Sequence, residues 1–292
     1  MQSKKRILVT GANGQLGSEM RRLGEASPND YNFTDVAELD ITDKEAILAY
    51  GGDEGFDAIV NCAAYTAVDR AEDDEATAEL INATAVRNLA EAAKVWGATL
   101  FHVSTDYVFS GEGNTPRSEE MPTAPLGAYG RTKLRGEQAI AEVGCKALIF
   151  RTAWLYSEYG GNFLKTMLRL TAERPHLSVV VDQVGTPTYA GDLAMTIFAI
   201  IERDMYDGKE GVYHFSNEGV CSWYDFAVEI ARAAGNVKCE IHPCSSEEFP
   251  SKVKRPHYSV LDKTKIKREF GVEIPHWRES MLYCLKRLSN KQ

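Results

Sequence analysis

The chain has 292 residues, 44% of them hydrophobic, and a formal net charge of −9. This length predicts one large domain or two closely packed ones, with enough apolar residues to bury a core. Nucleic acids and anionic membranes attract a basic protein face, so the acidic balance argues against both as general partners.

Hydropathy and cysteine usage predict a cytoplasmic protein. No apolar run approaches the ~20 residues of a membrane span, and no signal-peptide pattern precedes the first predicted strand. The six cysteines are scattered along the chain, which is typical of a reduced, cytoplasmic protein. His242 lies between Cys239 and Cys244, but a zinc site of the usual spacing needs a second ligand pair, so we expect no metal there.

The first half of the chain alternates apolar strands with helices. Strands are predicted over 6–10, 58–61, 99–103 and 147–150, and helices over 15–23 and 81–96. In the second helix, apolar residues recur every three or four positions, as on a helix with one buried face. Near-continuous apolar strands separated by helices indicate a parallel sheet covered on both faces. The predicted fold class is therefore α/β, a Rossmann-type doubly wound parallel sheet.

The second half is less regular and predicts a smaller C-terminal substrate-binding lobe. Helices are expected over 162–173 and 192–202, and strands over 179–181 and 212–216. We expect the stretch 189–216 to return to the main sheet. The predicted division is a dinucleotide-binding domain of 1–152 with 189–216, and a lobe of 153–188 and 217–292.

A glycine-rich loop follows the first strand and opens the first helix, which is the context that a dinucleotide fingerprint requires. Gly11 permits a tight turn, Gly14 lets the backbone approach a pyrophosphate, and Gly17 allows close packing of helix on strand. The free N–H groups at the start of the helix favour phosphates. The predicted cofactor contacts in this loop are Gly11, Asn13, Gly14, Gln15, Leu16 and Gly17.

Further cofactor contacts are predicted at the ends of the next two strands. Asp35 lies near the expected end of the second strand, where a carboxylate can accept hydrogen bonds from an adenosine ribose and repels a 2′-phosphate. Asp40 and Ile41 begin the next segment, the expected place for contacts to the adenine ring. Small residues after the strand 58–61 let a cofactor lie close to the backbone; the predicted contacts are Ala63, Ala64, Tyr65 and Thr66.

Tyr129 and Lys133 are four residues apart and would share one face of a helix. A free tyrosine has a pKa near ~10, and a nearby ammonium favours the phenolate and lowers that pKa. Just upstream, an apolar strand ends in Ser104 and Thr105, at the sheet edge where a nicotinamide would lie. Thr105 can then hydrogen-bond a substrate carbonyl beside Tyr129, while Lys133 reaches the nicotinamide ribose. The predicted catalytic residues are thus Thr105, Tyr129 and Lys133.

These motifs resemble the signatures of the extended short-chain dehydrogenase family. Within it, a narrower resemblance to the dTDP-4-dehydrorhamnose reductases covers nearly the whole chain, through Gly14-Gln15-Leu16-Gly17 and the segments 61–72, 104–109, 151–154, 162–167, 182–188 and 255–256. The resemblance implies an enzyme that uses NADPH or NADH to reduce C4 of dTDP-4-dehydro-6-deoxy-L-mannose, giving dTDP-L-rhamnose for cell-surface polysaccharide. Tyr129 would donate the proton, Lys133 would tune Tyr129, and Thr105 would polarise the carbonyl oxygen.

Four residues are expected to bind the substrate. Thr105 and Asp106 follow the strand 99–103, and Trp154 follows the strand 147–150, so all three should face the carboxyl edge of the sheet. An indole can cover the apolar face of a deoxysugar, although Trp154 could instead pack between the two parts of the chain. Arg255 lies in a basic segment that is usually a solvated face, but its guanidinium suits the pyrophosphate.

Two other functions remain open at this point. The same family includes a non-catalytic regulatory partner of methionine adenosyltransferase, although intact Thr105, Tyr129 and Lys133 favour an enzyme. A nucleotide-sugar epimerase or dehydratase is the other alternative; dehydratases carry an extra acidic residue beside the threonine, and no Glu follows Asp106.

The resemblance also bears on metal and assembly. Some family members pair through a magnesium ion held by glutamates; Glu19 matches one such position, but Gly191 stands where another is expected. Losing a carboxylate weakens a site for a hard cation, so we expect no metal requirement and a monomer or homodimer.

Overall fold

A computed structural model describes residues 4–249 and 251–290. The strands are β1 (Arg6–Thr10), β2 (Asp30–Phe33), β3 (Ala58–Asn61), β4 (Thr99–Thr105), β5 (Lys146–Thr152), β6 (Leu155–Tyr156), β7 (His176–Val180), β8 (Val184–Gly185), β9 (Thr188–Tyr189), β10 (Gly211–His214), β11 (Cys221–Ser222) and β12 (Glu240–Cys244). The helices are α1 (Gln15–Gly24), α2 (Lys44–Gly51), α3 (Val68–Ala71), α4 (Glu75–Glu79), α5 (Ala85–Trp96), α6 (Ala128–Val143), α7 (Phe163–Glu173), α8 (Ala190–Glu202), α9 (Trp223–Ala233), α10 (Thr264–Phe270) and α11 (Trp277–Ser289).

The central sheet has six parallel strands in the order β10-β5-β4-β3-β1-β2. The strand order reverses direction beside β1, because β2 lies on one side of it and β3 on the other. In open α/β sheets, ligands bind outside the carboxyl ends of the strands at such a switch point. The loops after β1 and β3 therefore form the expected ligand crevice, and the predicted fold class is confirmed.

Both faces of the sheet are covered by apolar helix faces. One core cluster joins the sheet to α1 and α8, through side chains such as Met20, Leu193 and Ile197. The other joins it to α2, α5 and α6, through Ile47, Leu89 and Ile140. Burial on both faces explains why β1, β3 and β4 are largely apolar in sequence.

The helix limits follow from local capping. Helix α7 begins at Phe163 because the Asn162 side chain accepts a hydrogen bond from the N–H of Lys165 at 3.1 Å. Helix α5 ends where Gly97 adopts a left-handed conformation with φ of 70°. The single helix predicted over 81–96 is divided: Leu80–Thr84 forms a π-helical turn before α5. Such turns occur frequently at functional sites, and this one carries Asn82.

A third core cluster lies in the smaller lobe, between α7, α9 and α11 and the two-stranded sheet of β7 and β12. One segment departs from the expected division of the chain. Ile266 and Phe270 of α10 pack into the core of the central sheet, beside Tyr213 of β10, and not into the lobe. Helix α10 therefore covers the edge of the central sheet, although 217–292 was assigned to the lobe.

Within the described ranges 4–249 and 251–290, no helix is both long and apolar enough to cross a membrane.

Candidate active site

The glycine loop after β1 lies directly against the loop after β3. Gly11 has φ of 63°, and a Cβ placed on it would lie 2.6 Å from the backbone N and Cα of Ala63. A Cβ on Gly17 would lie 2.2 Å from the carbonyl oxygen of Gly11. Contacts this short are sterically forbidden, so larger residues would push the loop away from β3 and α1. The glycines thus create the close backbone approach that a dinucleotide site needs.

The start of α1 presents backbone N–H groups rather than side chains. Gly14 occupies the N-cap position, and no side chain caps the helix. The Gln15 side chain turns toward the lobe, where its Oε1 accepts hydrogen bonds from Asn162 (2.9 Å) and Ser157 (3.3 Å). The structure therefore engages the Gln15 amide between the two parts of the chain, which leaves its backbone N–H for a phosphate.

Two acidic residues are predicted to lie near the adenosine, and in the structure both accept hydrogen bonds from loop residues. Asp35 lies beyond β2, and its Oδ2 accepts a hydrogen bond from the N–H of Asn13 at 3.0 Å. Asp40 is exposed, and hydrogen bonds from the side chain and N–H of Thr42 lower the pKa of its carboxyl. Ile41 is buried, and its carbonyl accepts a hydrogen bond from Asn88 Nδ2 at 3.2 Å. Asp35 is thus placed beside the glycine loop, as a ribose contact requires.

Asn82 fixes the loop of Ala63, Ala64, Tyr65 and Thr66 that follows β3. Its Oδ1 accepts from the N–H of Tyr65 at 2.9 Å, while its Nδ2 donates to the Tyr65 carbonyl and to Thr132 Oγ1, both at 3.1 Å. Asn82 is not among the residues predicted from the sequence. The available signal was an asparagine beside Ile81 at the start of an apolar helical stripe.

Thr105, Asp106 and Tyr129 meet beyond the carboxyl end of β4. The Thr105 hydroxyl lies within hydrogen-bonding reach of the Tyr129 side chain, and Thr105 Oγ1 donates to Asp106 Oδ1 at 3.1 Å. Burial raises the pKa of Tyr129 to about 12; the charge of Asp106 raises it as well, while the bond with Thr105 acts in the opposite direction. Burial also raises the pKa of Asp106 to about 7, and Asp106 Oδ2 has no hydrogen-bond partner among the described residues.

Lys133 is almost wholly buried, with 1% of its surface exposed. Its Nζ donates to the Val103 carbonyl at 2.6 Å and lies 3.4 Å from Nε2 of His102. Burial lowers the pKa of Lys133 to about 8, against the opposing effect of Glu137. The sequence predicts that the Lys133 ammonium lowers the pKa of Tyr129. In the structure, burial is the largest influence on the pKa of Tyr129 and raises it. The Lys133 side chain turns toward β4.

A large cleft with a volume of about 1510 Å³ lies within the lobe and reaches the cofactor half at Asp69. Trp223 lines it, and the Trp154 ring stacks on Trp223 with ring centroids 3.6 Å apart and planes inclined by 10°. Trp154 has φ of 51°, a left-handed conformation that bulky residues rarely adopt. Trp154 is the indole predicted from the sequence, whereas Trp223, which was not predicted, is the indole that lines the cleft.

Arg255 and Asp69 lie opposite one another at the edge of this cleft. The guanidinium Nη2 of Arg255 is 2.9 Å from Asp69 Oδ2, and both side chains are partly exposed. Lys252 and Asp73 form a second ion pair between the same two segments. Arg255 thus brings a positive charge to the cleft, where a diphosphate could exchange with Asp69.

Glu19 is engaged inside the protein. Its carboxylate is fully buried and lies 2.9 Å from Arg22 and 3.3 Å from Arg287. Glu158 and the hydroxyl of Tyr189 complete the cluster. Across the described residues, no group of three or more His, Cys, Asp or Glu is suited to a metal ion. Arg287 therefore supplies the positive charge beside Glu19.

Comparisons with known proteins now bear on this site. A family model described as the RmlD substrate binding domain matches residues 5–290. A dTDP-4-dehydrorhamnose reductase of Burkholderia thailandensis is 41% identical, with 97% of this chain and 99% of the relative covered. The chain belongs to the dTDP-4-dehydrorhamnose reductase family. The resemblance read from the motifs is thereby confirmed, and the chain is an enzyme, an oxidoreductase.

Two further relatives of this reductase family are informative. A crystal structure of the Bacillus anthracis dTDP-4-dehydrorhamnose reductase in complex with NADP has a TM-score of 0.91 and 40% identity, covering 98% of this chain and 100% of that one. A protein of Streptomyces antibioticus named a probable dTDP-4,6-dihydroxy-2-methyloxan-3-one 4-ketoreductase is 42% identical, covering 94% of this chain and 93% of its own length. Relatives that are about equally identical to this chain are thus named for different keto sugars.

Proposed function

We propose that this chain uses NADPH or NADH to reduce the C4 keto group of dTDP-4-dehydro-6-deoxy-L-mannose, giving dTDP-L-rhamnose for cell-surface polysaccharide. The observation that carries the proposal is that the side chains of Thr105 and Tyr129 lie together at the carboxyl end of β4. We infer from it a proton donor beside the crevice formed by the glycine loop and the end of β3. The Bacillus anthracis relative was crystallised with NADP, which supports a nicotinamide cofactor.

The residues of the crevice fit a dinucleotide. Gly11 and Gly17 let the loop pack closely against the chain after β3 and against α1, α1 offers free N–H groups, and Asp35 suits an adenosine ribose. Asp40, Ile41 and the loop 63–66 would contact the rest of the cofactor. A reduced nicotinamide, when bound, supplies the hydride.

Tyr129 holds the proton that the reaction needs. Because its pKa is raised to about 12, the hydroxyl stays protonated at neutral pH and can donate to the oxygen that develops at C4. Thr105 hydrogen-bonds the same oxygen and orients the carbonyl toward Tyr129. Lys133 would bind the nicotinamide ribose as an ammonium. Since its pKa is lowered to about 8, that form is present below this pH and is lost above it, so the rate of reduction should fall on the alkaline side.

The dTDP-sugar would lie at the carboxyl end of β4, beside Thr105 and Tyr129, and extend toward the cleft of the lobe at Asp69. Asp106 and Trp154 would contact the sugar, the latter together with Trp223, and Arg255 would leave Asp69 to bind the diphosphate. This arrangement supports a dinucleotide-binding domain of 1–152 with 189–216 and a substrate lobe of 153–188 and 217–292, with α10 returning to the central sheet. We propose neither a nucleic-acid nor a membrane partner. The proposed assembly is a monomer or homodimer.

The test is to incubate the purified chain with the dTDP-4-keto sugar and either reduced cofactor, and to identify the product by NMR. Formation of dTDP-L-rhamnose, with activity lost in Tyr129→Phe, supports the proposal. Efficient reduction of another dTDP-4-keto sugar, such as that in the name of the Streptomyces antibioticus relative, would preserve the mechanism and refute the substrate. Absence of cofactor oxidation with every keto sugar would favour a non-catalytic regulatory subunit.

A further inference from the structure

A row of polar side chains crosses the middle of the sheet under the glycine loop. Thr10 of β1 is in register with Asn61 of β3, and Asn61 is in register with His102 of β4. Residues in register on parallel strands point to the same face, so the three side chains form one line that ends at Lys133. All four residues are at most 1% exposed. Buried polar groups need hydrogen-bond partners, and here they find them along the row.

The hydrogen bonds of this row have a single consistent direction. Asn61 Oδ1 accepts from the backbone N–H of Ala63 at 3.1 Å and from Thr10 Oγ1 at 2.8 Å. A backbone N–H can only donate, so the oxygen of the Asn61 amide must face Ala63 and its Nδ2 must face His102. Nδ2 lies 3.1 Å from Nδ1 of His102. Nδ1 therefore accepts, and it carries no proton.

The proton of a neutral His102 ring must then lie on Nε2. Burial and the neighbouring Lys133 charge hold the pKa of His102 well below its usual range, so the ring is neutral at physiological pH. The Nε2–H bond is directed at Lys133 Nζ, 3.4 Å away. An amine can accept from this N–H, but an ammonium has no free lone pair and is repelled by it.

We propose that His102 is a positioning residue that holds the Lys133 side chain and, through a tautomer fixed by Asn61, favours the neutral amine of that lysine. Only the kinetic consequence of this inference rests on the proposed function. Asn61 sets the tautomer because Ala63 and Thr10 set the Asn61 amide, so the loop that receives the cofactor is joined to the catalytic lysine by one chain of hydrogen bonds. A lysine poised near the working pH can release and regain a proton during a catalytic cycle.

Other charged groups around Lys133 have different effects. Glu137, one helical turn further along α6, favours the ammonium, although its own charge is paired with Arg151 at 2.6 Å. Tyr129 is protonated at neutral pH, and Asp106 lies with it beyond the end of β4. The Nε2–H of His102 is the neighbouring group that contacts Nζ and favours the amine. Removing that N–H alone should therefore raise the pKa of Lys133.

Two conservative substitutions test the roles of the two ring nitrogens of His102 separately. The amide of Asn reaches the position of Nδ1, so His102→Asn keeps an acceptor for Asn61 and removes the donor that faces Lys133. The amide of Gln reaches the position of Nε2, so His102→Gln keeps that donor. In the pH profile of kcat/KM, the alkaline limb should move up by about half a unit to one unit in His102→Asn, as expected for one lost hydrogen bond. In His102→Gln the limb should stay near its wild-type position.

A merely structural role predicts a different result. Both variants would then lose stability or kcat while the alkaline limb stayed in place, and this outcome would overturn the proposal. Equal upward shifts in both variants would also overturn it, because the donor toward Lys133 would not be the cause.

A second measurement does not require catalysis. Long-range ¹H–¹⁵N spectra of the ¹⁵N-histidine-labelled chain distinguish protonated from unprotonated ring nitrogens, and the chain has six histidines. We expect one ring with Nδ1 unprotonated and Nε2 protonated that stays neutral to well below pH 6.5, and whose signal disappears in His102→Gln. If His102 is found as the Nδ1–H tautomer or titrates near its ordinary pKa, the inference is wrong. This result is independent of substrate, so it separates failure of the inference from failure of the proposed function.

Discussion

The buried ion pair between Glu137 and Arg151 allows a quantitative prediction about stability. Each side chain is only 6% exposed, and the guanidinium donates to both carboxylate oxygens, with N–O distances of 2.6 and 3.0 Å. Ser104 Oγ also donates to the carboxylate, at 2.5 Å. The pair thus joins α6 to β5 and to the strand that carries Thr105, directly behind the catalytic residues.

Glu137→Gln keeps the shape of the side chain and removes its charge. Arg151 cannot lose its proton, so a cation would remain in the interior without a counterion. Two charges about 4 Å apart attract by about 4 kcal/mol at an effective dielectric constant of about 20. Removing one partner of a buried ion pair costs about 3–5 kcal/mol. The Coulomb energy and the cost known from such mutations therefore have the same magnitude. Because domains are stable by only about 5–15 kcal/mol, we expect a large loss.

The assay is urea-induced unfolding of wild-type and variant chains at constant pH. Arg169 and Glu173 provide a matched control, since they form an i,i+4 pair on α7 with side chains 60% and 55% exposed. Glu173→Gln should cost no more than about 0.5 kcal/mol. The double variant Glu137→Leu with Arg151→Met should cost less than Glu137→Gln alone, because no charge is stranded. If Glu137→Gln costs no more than the exposed control, the argument from desolvation is wrong.

Four further predictions concern catalysis and cofactor use. Tyr129→Phe should lower kcat by about 10²–10⁴ with the fold intact, as measured by steady-state kinetics and circular dichroism, and near-normal turnover would refute its role as proton donor. Trp154→Ala should raise KM for the keto sugar more than KM for the reduced cofactor, because the indole packs on Trp223 in the cleft; Trp96→Ala, at a distant aromatic cluster with Phe56, should leave the ratio of the two KM values unchanged, and a shift in both variants would contradict the assignment. The chain should accept NADH, since Asp35 lies beside the glycine loop and the segment 29–37 contains no Lys or Arg; a preference for NADPH above about a hundredfold in kcat/KM would show otherwise. Activity should survive dialysis against EDTA, because Arg287 occupies the surroundings of Glu19, and a loss of activity that Mg²⁺ restores would disprove this.

Local motifs in the sequence were sufficient to predict the parts of the site that depend on short spacing. Residues 6–24 contain a strand, the glycine loop and a helix in direct succession. This order alone predicts that the loop can bind phosphates at the start of the helix. Tyr129 and Lys133 share a helix face because they are four residues apart. The alternation of apolar strands and helices likewise predicts the parallel sheet, since both faces of its strands are buried.

The tertiary structure decided which distant side chains meet. Asn61 and His102 are 41 residues apart, and only the register of β3 with β4 brings them into one row. Lys133 faces that row, and not Tyr129, because α6 packs across β4. The stacking of Trp154 on Trp223 depends on packing within the lobe, and the pairing of Arg255 with Asp69 depends on how the lobe meets the cofactor half. Periodicity and spacing report on neighbours along one element, whereas these contacts are set by the packing of elements against each other.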